Sequence, residues 1–566
     1  MMSFTTLGRR VTSATIAALP RGWRQARCCA AALLLGVLLL PAAQAQQPAP
    51  LLSAAPGKSG GEGGTSGPVN VTIRAATKEN PYLGTIVGQP HAMPTGDDPA
   101  SRCIQLAYAD LSTIKDAPTQ MVDAKIQPAK GKDPAICVIN AFIAPQIAFR
   151  MWLPLTTWNG KYMQNGCGGR CGDFLPDQCE IQTLRGYACL AHDLGHKGTT
   201  YDNVWAIGNI PAEIDFGFRA THVAALAGKV ITERFYGKKP KYAYFIGAST
   251  GGRQAMVITQ RFPLDFDGVI GGVAGGSVPG TVPGARGFGL GSLLFVNGKA
   301  TLSPDDIRLA HAAVVARCDA ADGLKDNIIT DPTGCPFQPK ELLCKGDKTA
   351  SCLTQAQVTV LDAVYATGFQ RGSELGWIGA YVAADSSAGR YIPRTTDGYF
   401  YPYSWVFNDS NNPDLRPFKK AGGKFIMYAG WADEVINPVG SYSYYETVER
   451  VIGNRKDTQD FFRLFMIPGE AHIPGGVGAE SINYLYALED WVEKGKAPDV
   501  LIGRKLKTIK RMLGPIILEE DMRADNYLYS RPQYPYPIQG RYTGKGDPDD
   551  AASFAAWDPT SQQWVK

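Results

Sequence analysis

A run of strand-forming residues, Lys241-Tyr-Ala-Tyr-Phe-Ile246, passes directly into Gly247-Ala248-Ser249-Thr250-Gly251 and then into the helix-like stretch Gly252 to Phe262. A chain that turns from strand to helix across one serine has few folds open to it. Small residues must flank the turn so that backbones can pass closely, and the serine hydroxyl is then held over a helix N-terminus at the carboxyl edge of a sheet. In a chain of 566 residues with 63 glycines, a bare G-x-S-x-G can be no more than a tight turn with an N-cap serine. The strand before it and the helix after it favour a nucleophile.

The surrounding pattern agrees with a sheet of this kind. Short apolar runs at Phe142 to Leu153, Tyr187 to Ala191, Tyr242 to Gly247, Val269 to Val273, Lys424 to Tyr428 and Arg463 to Ile467 alternate with helical stretches such as Phe216 to Phe235. Runs without polar alternation are strands buried on both faces, so an α/β fold with a mostly parallel sheet and helices on both sides is expected. The rhythm fails over 275–405, which reads as a large insertion; 69–274 and 406–566 make the main domain. A composition 45% hydrophobic and 19% charged excludes a disordered or fibrous chain. A net charge of only +5, with no long basic run, makes nucleic acid a poor partner and a small molecule the better expectation.

Arginines at positions 9, 10, 21, 24 and 27 precede an apolar run from Cys28 to Leu40 and the triplet Ala43-Gln44-Ala45. That is the layout of a secretory signal peptide over 1–45, too short for a membrane span. The Pro, Ala, Gly and Ser-rich stretch 46–68 reads as a flexible linker. Of 12 cysteines, Cys28 and Cys29 lie in the leader, leaving an even number in an oxidising compartment. Spacing suggests Cys103 with Cys137, Cys318 with Cys335 and Cys344 with Cys352. The pairing of Cys167, Cys171, Cys179 and Cys189 stays open, with disulfides favoured over zinc because C-x-x-C knuckles are absent.

A serine nucleophile needs a base. Among six histidines, His472 lies beyond the elbow in a post-strand loop, Pro468-Gly-Glu-Ala-His-Ile-Pro-Gly475. Asp433, in Ala429-Gly430-Trp431-Ala432-Asp433, follows another strand-like run, where a carboxylate can orient and charge-stabilise an imidazole. The amide of Thr250 is a natural oxyanion donor, and the loop Gln164-Asn165-Gly166-Cys167-Gly168-Gly169 can bring a second.

These stretches resemble the tannase and feruloyl esterase family of serine esterases, which are α/β-hydrolases with a large lid. The likeness rests on Ile246-Gly-Ala-Ser-Thr-Gly-Gly-Arg-Gln254, Gly430-Trp-Ala-Asp433, Pro468-Gly-Glu-Ala-His472 running on to Asp490-Trp-Val-Glu-Lys-Gly-Lys-Ala-Pro498, and the tail from Arg531-Pro to Asp550-Ala-Ala-Ser-Phe554. It implies Ser249 as nucleophile, Asp433 as acid partner, His472 as base, and oxyanion donors at Gly168 and Thr250. The chain departs from the family in having Ala248 and Ile473 where a disulfide usually ties serine to histidine, and Tyr534 and Ala556 where a second bridge is usual. Cys167 and Cys171 stand in the glycine loop, where the family typically has none.

The acidic loop Cys318-Asp-Ala-Ala-Asp-Gly-Leu-Lys-Asp-Asn-Ile328 alone reads as a solvated turn. Its resemblance to the family's lid loop implies structural calcium held by Asp319, Asp322 and Asp326 with the backbone oxygens of Leu324 and Ile328. His192-Asp-Leu-Gly-His196 superficially suggests zinc, but Gly195 weakens the helix such a site needs, and a structural loop is expected. The aromatic lid stretch from Gly376 to Phe407, with Arg390 and Arg394, offers stacking surfaces for an aromatic acyl group, although aromatics more often pack a core. The resulting expectation is a secreted serine esterase that hydrolyses galloyl or hydroxycinnamoyl esters and uses no organic cofactor. The same triad serves terephthalate monoesters equally well, and the rival class is a catalytically silent hydrolase-fold protein that binds phenolics or glycans.

Overall fold

A computed structural model describes residues 72–73, 86–87, 96–174, 179–198, 204–274, 295–296, 299–366, 410–433, 435–472, 476–508, 512–513, 516–517 and 522–565. The leader 1–45, the linker 46–68, Ile473 and the aromatic stretch from Gly376 to Phe407 lie outside them. The chain divides into two compact units, Met1–Gln89 and Pro90–Lys566. In the first, Thr72–Ile73 pairs antiparallel with Ile86–Val87. All other described elements belong to the second.

The second unit is built on a nine-stranded sheet. Its strands are β1 (Thr119–Gln127), β2 (Ile136–Ile143), β3 (Ile147–Pro154), β4 (Lys161–Asn165), β5 (Ala188–His192), β6 (Tyr242–Ala248), β7 (Gly268–Gly272), β8 (Lys424–Gly430) and β9 (Phe462–Ile467). They lie side by side in the order β9-β8-β7-β6-β4-β5-β3-β2-β1. Every pairing from β9 across to β5 is parallel, and β3, β2 and β1 are added by antiparallel pairing. This is the mostly parallel α/β-hydrolase sheet. One run differs from its sequence reading: Phe142 to Leu153 is not a single strand but the end of β2, a turn at residues 144–146 and most of β3. Pro145, which has no N–H to give a ladder, stands in that turn.

The longer helices among the described residues are α1 (Pro99–Leu106), α2 (Ala220–Tyr236), α3 (Thr250–Arg261), α4 (Pro304–Cys318), α5 (Gln355–Ala366), α6 (Pro438–Ile452) and α7 (Tyr484–Lys494). Successive strand side chains point to opposite faces, so a continuous apolar run supplies two cores at once. Phe245 of β6 and Phe425 and Met427 of β8 pack with Val223 and Ile231 of α2, Met256 of α3 and Val448 of α6. Their neighbours Tyr244, Ile246, Ile426 and Tyr428 pack on the other face with Leu485, Leu488 and Trp491 of α7.

Between β7 and β8 the described chain leaves the sheet. Helices α4 and α5 share an apolar cluster of their own, including Leu302, Ile307, Leu361 and Val364. The disulfides are Cys103–Cys137, Cys167–Cys171, Cys179–Cys189, Cys318–Cys335 and Cys344–Cys352. The clustered foursome is thus joined to nearest neighbours in sequence.

Glycine sets how closely the central strands and α3 approach. A Cβ on Gly252 of α3 would lie 2.3 Å from the Gly272 carbonyl oxygen, and one on Gly272 would lie 1.9 Å from Tyr428 Cζ. The latter neighbour is a fully packed ring. Gly272→Ala is therefore expected to lower stability by about 1–3 kcal/mol, the usual cost of overpacking, read as a reduced denaturant midpoint; an unchanged midpoint would show that the Tyr428 ring yields freely.

Candidate active site

The serine elbow forms where the sequence places it. Strand β6 ends at Ala248 and α3 begins at Thr250, leaving Ser249 alone between them with φ 58° and ψ −118°. A non-glycine residue in that region is strained and must be held by its surroundings. The Ser249 N–H donates to the Gly272 carbonyl at 2.9 Å, and the Ser249 carbonyl accepts from Arg253 N–H at 3.0 Å. Side chains at the flanking glycines would not fit: a Cβ on Gly247 would sit 2.6 Å from the backbone of Gly251, and one on Gly166 would sit 2.7 Å from Gly251 Cα.

Two later strands deliver the partners. Asp433 follows the end of β8 and His472 follows the end of β9, at the same carboxyl edge as Ser249. Backbone bonds tie these two loops together: Trp431 N–H donates to Ile467 O at 2.9 Å and Ala432 N–H to Glu470 O at 3.0 Å. Gly430 makes this possible, because a Cβ there would lie 2.2 Å from the Glu470 carbonyl oxygen. His472 Nδ1 lies 2.9 Å from Asp433 Oδ2, and His472 Nε2 lies 3.0 Å from Ser249 Oγ. The other carboxylate oxygen, Asp433 Oδ1, accepts from the N–H groups of Val435 and Ile436 at 2.8 and 2.7 Å. Three side chains separated by up to 223 positions thus form one relay. Such an arrangement can take the hydroxyl proton as the oxygen attacks an acyl carbon.

The glycine loop lies beside the elbow. Cys167 N–H donates to Gln254 Oε1 at 3.0 Å, and Gln254 Nε2 donates to Thr221 Oγ1 at 2.8 Å, so a buried amide side chain on α3 fixes the start of the loop. The Thr250 hydroxyl donates to the Gly169 carbonyl. Around Gly168 there is open space, since a Cβ there would meet no atom within 4 Å. Sequence reasoning gave no role to Gln254, although it ends the Ile246–Gln254 block, and missed Thr221, which carries no pattern of its own.

Glu470 is a second feature hidden in the sequence. Its side chain is buried within the base loop, and among the described residues Oε2 has no hydrogen-bond partner. Burial, and then the charges of Glu480 and Asp433, hold its carboxyl well above the ordinary glutamate range.

The acidic loop after α4 is folded through its own carboxylates. Asp322 accepts from Leu324 N–H and the Thr330 hydroxyl, Asp326 accepts from Ile328 N–H and pairs with Arg531 at 2.8 Å, and Asp319 accepts from Asp326 N–H. Burial pushes the Asp322 carboxyl up, with Asp326 and Asp319 adding to it against the hydrogen bonds from Thr330 and Leu324. The donor chemistry is that of a hard-cation site, with like charge crowded around a buried carboxyl. Among the described residues, however, no three His, Cys, Asp or Glu side chains converge as a metal cage. To close one, these carboxylates must turn from their present partners. In the His192 to His196 loop, burial pushes the His192 imidazole down to about 3, and His196 stacks on Trp205. That loop is structural: Asp193 accepts from the N–H groups of Ala148 and Gly195.

A family model described as tannase and feruloyl esterase matches residues 136–399 and 394–557. The chain belongs to the tannase and feruloyl esterase family. It is accordingly a carboxylic ester hydrolase. It is 30% identical over 468 residues to a probable feruloyl esterase B-1 of Aspergillus terreus, covering 73% of this chain and 83% of that one. It is 27% identical over 513 residues to a mono(2-hydroxyethyl) terephthalate hydrolase of Piscinibacter sakaiensis, covering 73% and 82%. The crystal structure of feruloyl esterase B from Aspergillus oryzae superposes with a TM-score of 0.67 at 26% identity, covering 81% of this chain and all of that one.

The buried Glu470 gives this family member a testable pH signature. The folded protein keeps the Glu470 proton at pH values where an unfolded chain has lost it, so the group opposes folding increasingly as pH rises above the ordinary glutamate pKa of about 4.3. Glu470→Gln, neutral throughout, is expected to gain stability over the parent between about pH 5 and pH 8 and to match it near about pH 4. Thermal midpoints across that range check it; parallel curves would mean that the carboxyl is ionised in place.

Proposed function

We propose that the protein is a secreted serine carboxylesterase that hydrolyses esters of aromatic acids through an acyl-serine intermediate. The observation carrying this reading is the continuous relay from Asp433 through His472 to Ser249, with contacts of 2.9 and 3.0 Å. His472 Nε2 takes the Ser249 proton as Oγ attacks the ester carbonyl, and the imidazolium is held by Asp433. The N–H groups of Thr250 and Gly168 receive the developing oxyanion. His472 then gives its proton to the leaving alcohol, and water, activated by the same imidazole, releases the acid.

Family membership and the relatives' activities support an aromatic acyl group. Galloyl and hydroxycinnamoyl esters are the first reading, with terephthalate monoesters as a second, favoured by the relative from Piscinibacter sakaiensis. The arginine-then-apolar leader and five disulfides support secretion; among the described residues no helix is long and apolar enough to cross a membrane. In this reading the segment 275–405 is the lid over a catalytic domain of 69–274 and 406–566.

Kinetics on galloyl, feruloyl and terephthaloyl esters test the substrate class. Ser249→Ala is expected to lose about 10⁴-fold or more in kcat, together with all labelling by a fluorophosphonate. Turnover near the parent's would overturn the serine mechanism. A parent protein that neither labels nor turns over any of these esters would instead be the silent binding protein.

The loop from Asp319 to Ile328 is proposed to hold a structural calcium ion. Asp319, Asp322 and Asp326 with the carbonyls of Leu324 and Ile328 would supply hard oxygen ligands, and the ion would relieve the like-charge crowding on Asp322. Chelation is expected to lower the melting temperature, with recovery on adding calcium but not magnesium. A calcium-independent melting curve with no metal in the purified protein would remove the site.

A further inference from the structure

The loop assigned the second oxyanion donor is closed on itself by a covalent bond. Cys167 and Cys171 are disulfide-bonded, enclosing Gly168, Gly169 and Arg170 in a ring. Within and just after this ring the backbone turns left-handed at Gly169 (φ 57°), Cys171 (φ 59°) and Gly172 (φ 83°). Cysteine has no intrinsic liking for that region, and two left-handed residues in succession, Cys171 and Gly172, are not a conformation that a free chain keeps. The hydrogen bonds around the loop pin its ends: Cys167 N–H to Gln254, Cys171 N–H to the Gly168 carbonyl at 3.0 Å, and Gly172 N–H to the Asp193 carbonyl at 3.2 Å. At the apex the Thr250 hydroxyl donates to the Gly169 carbonyl, and a Cβ on Gly168 would meet no atom within 4 Å.

We propose that the Cys167–Cys171 disulfide is a positioning device for ester hydrolysis, holding the Gly168 N–H beside the Thr250 N–H so that the oxyanion hole exists before substrate arrives. This rests on the Ser249 mechanism above and deepens it. The argument is one of preorganisation. Donors aimed at a developing charge accelerate reaction only if they need not reorient during it. An apex of consecutive glycines can reorient by flipping a peptide. A bond spanning the ring, with the carbonyl of Gly169 already drawn to the Thr250 hydroxyl, removes that freedom. Cys179–Cys189 lies outside this ring, and its Cys179 Sγ accepts from Asn165 Nδ2 at 3.7 Å, before the ring begins.

The double variant Cys167→Ala/Cys171→Ala tests the role in the otherwise intact protein. Loss of one oxyanion donor costs about 10²–10³-fold in kcat, so a fall of about 10²-fold is expected with KM changed by less than about threefold. The affinity of an aromatic boronic acid, whose tetrahedral serine adduct carries the oxyanion, should fall in parallel. The affinity of the product acid should stay the same. A purely structural bridge predicts a lower melting temperature with these ratios unmoved. If kcat stays within about threefold of the parent, or boronate and product affinities fall together, the proposal is wrong.

Reduction of the parent by a phosphine supplies a second measurement that does not depend on the variant folding. Two electrons and two protons convert the bridge to two thiols, and activity assayed with the reductant present should fall in step with opening of Cys167–Cys171, mapped on quenched samples. Full activity after that bridge has opened would overturn the proposal. Ser249 labelling of the untreated parent separates the two ideas: if the parent does not label, the Ser249 mechanism has failed; if it labels and the variant is unimpaired, only the bridge's role has.

Discussion

A strand that becomes a helix across a single residue imposes its geometry on everything around it. Ser249 holds φ at 58° because β6 and α3 meet there without a loop, and the crossing is close enough that Gly166, Gly247 and Gly252 each stand where a side chain would strike backbone. The strain is balanced by a buried parallel sheet that does not deform locally. The Gly272 carbonyl on the neighbouring strand receives the Ser249 N–H, and the ring of Tyr428 from β8 occupies the space that a side chain at Gly272 would fill. The hydroxyl is therefore aimed by packing rather than by its own preference.

The acid and the base depend on the same sheet, in a second way. Parallel pairing of β8 with β9 brings both carboxyl ends to one edge, and two backbone hydrogen bonds lock the loops that follow. At the two positions where the family resemblance implies a bridge between serine and histidine loops, this chain has Ala248 and Ile473. The loop-to-loop backbone bonds and the close seat of Glu470 against Gly430 hold the base loop in this protein. On the other side of the nucleophile, the glycine loop carries the Cys167–Cys171 bond.

The carboxyls near the relay differ in their partners. Asp433 accepts two backbone N–H groups in addition to its imidazole contact, which fixes its orientation toward the ring. Burial, and then the charges of Glu480 and Asp433, push the Glu470 carboxyl upward. In the loop after α4 the three aspartates are each engaged by backbone N–H groups or by Thr330 and Arg531, so the loop is ordered by its own charges.

What the sequence determined by itself was whatever is written in local pattern. Unbroken apolar runs announced strands covered on both faces, and small residues around Ser249 announced the elbow, because backbone sterics act between near neighbours. The order of Ser249, Asp433 and His472 along the chain was legible for the same reason, each lying just after a strand. The tertiary structure alone decided the rest. The division of Phe142 to Leu153 into two strands, the pairing of the four clustered cysteines, the Gln254 clamp on Cys167 and the upward shift of the Glu470 carboxyl all arise from contacts within the packed molecule or from burial. Dielectric environment and close approach belong to the packed molecule, and no single stretch of residues carries them.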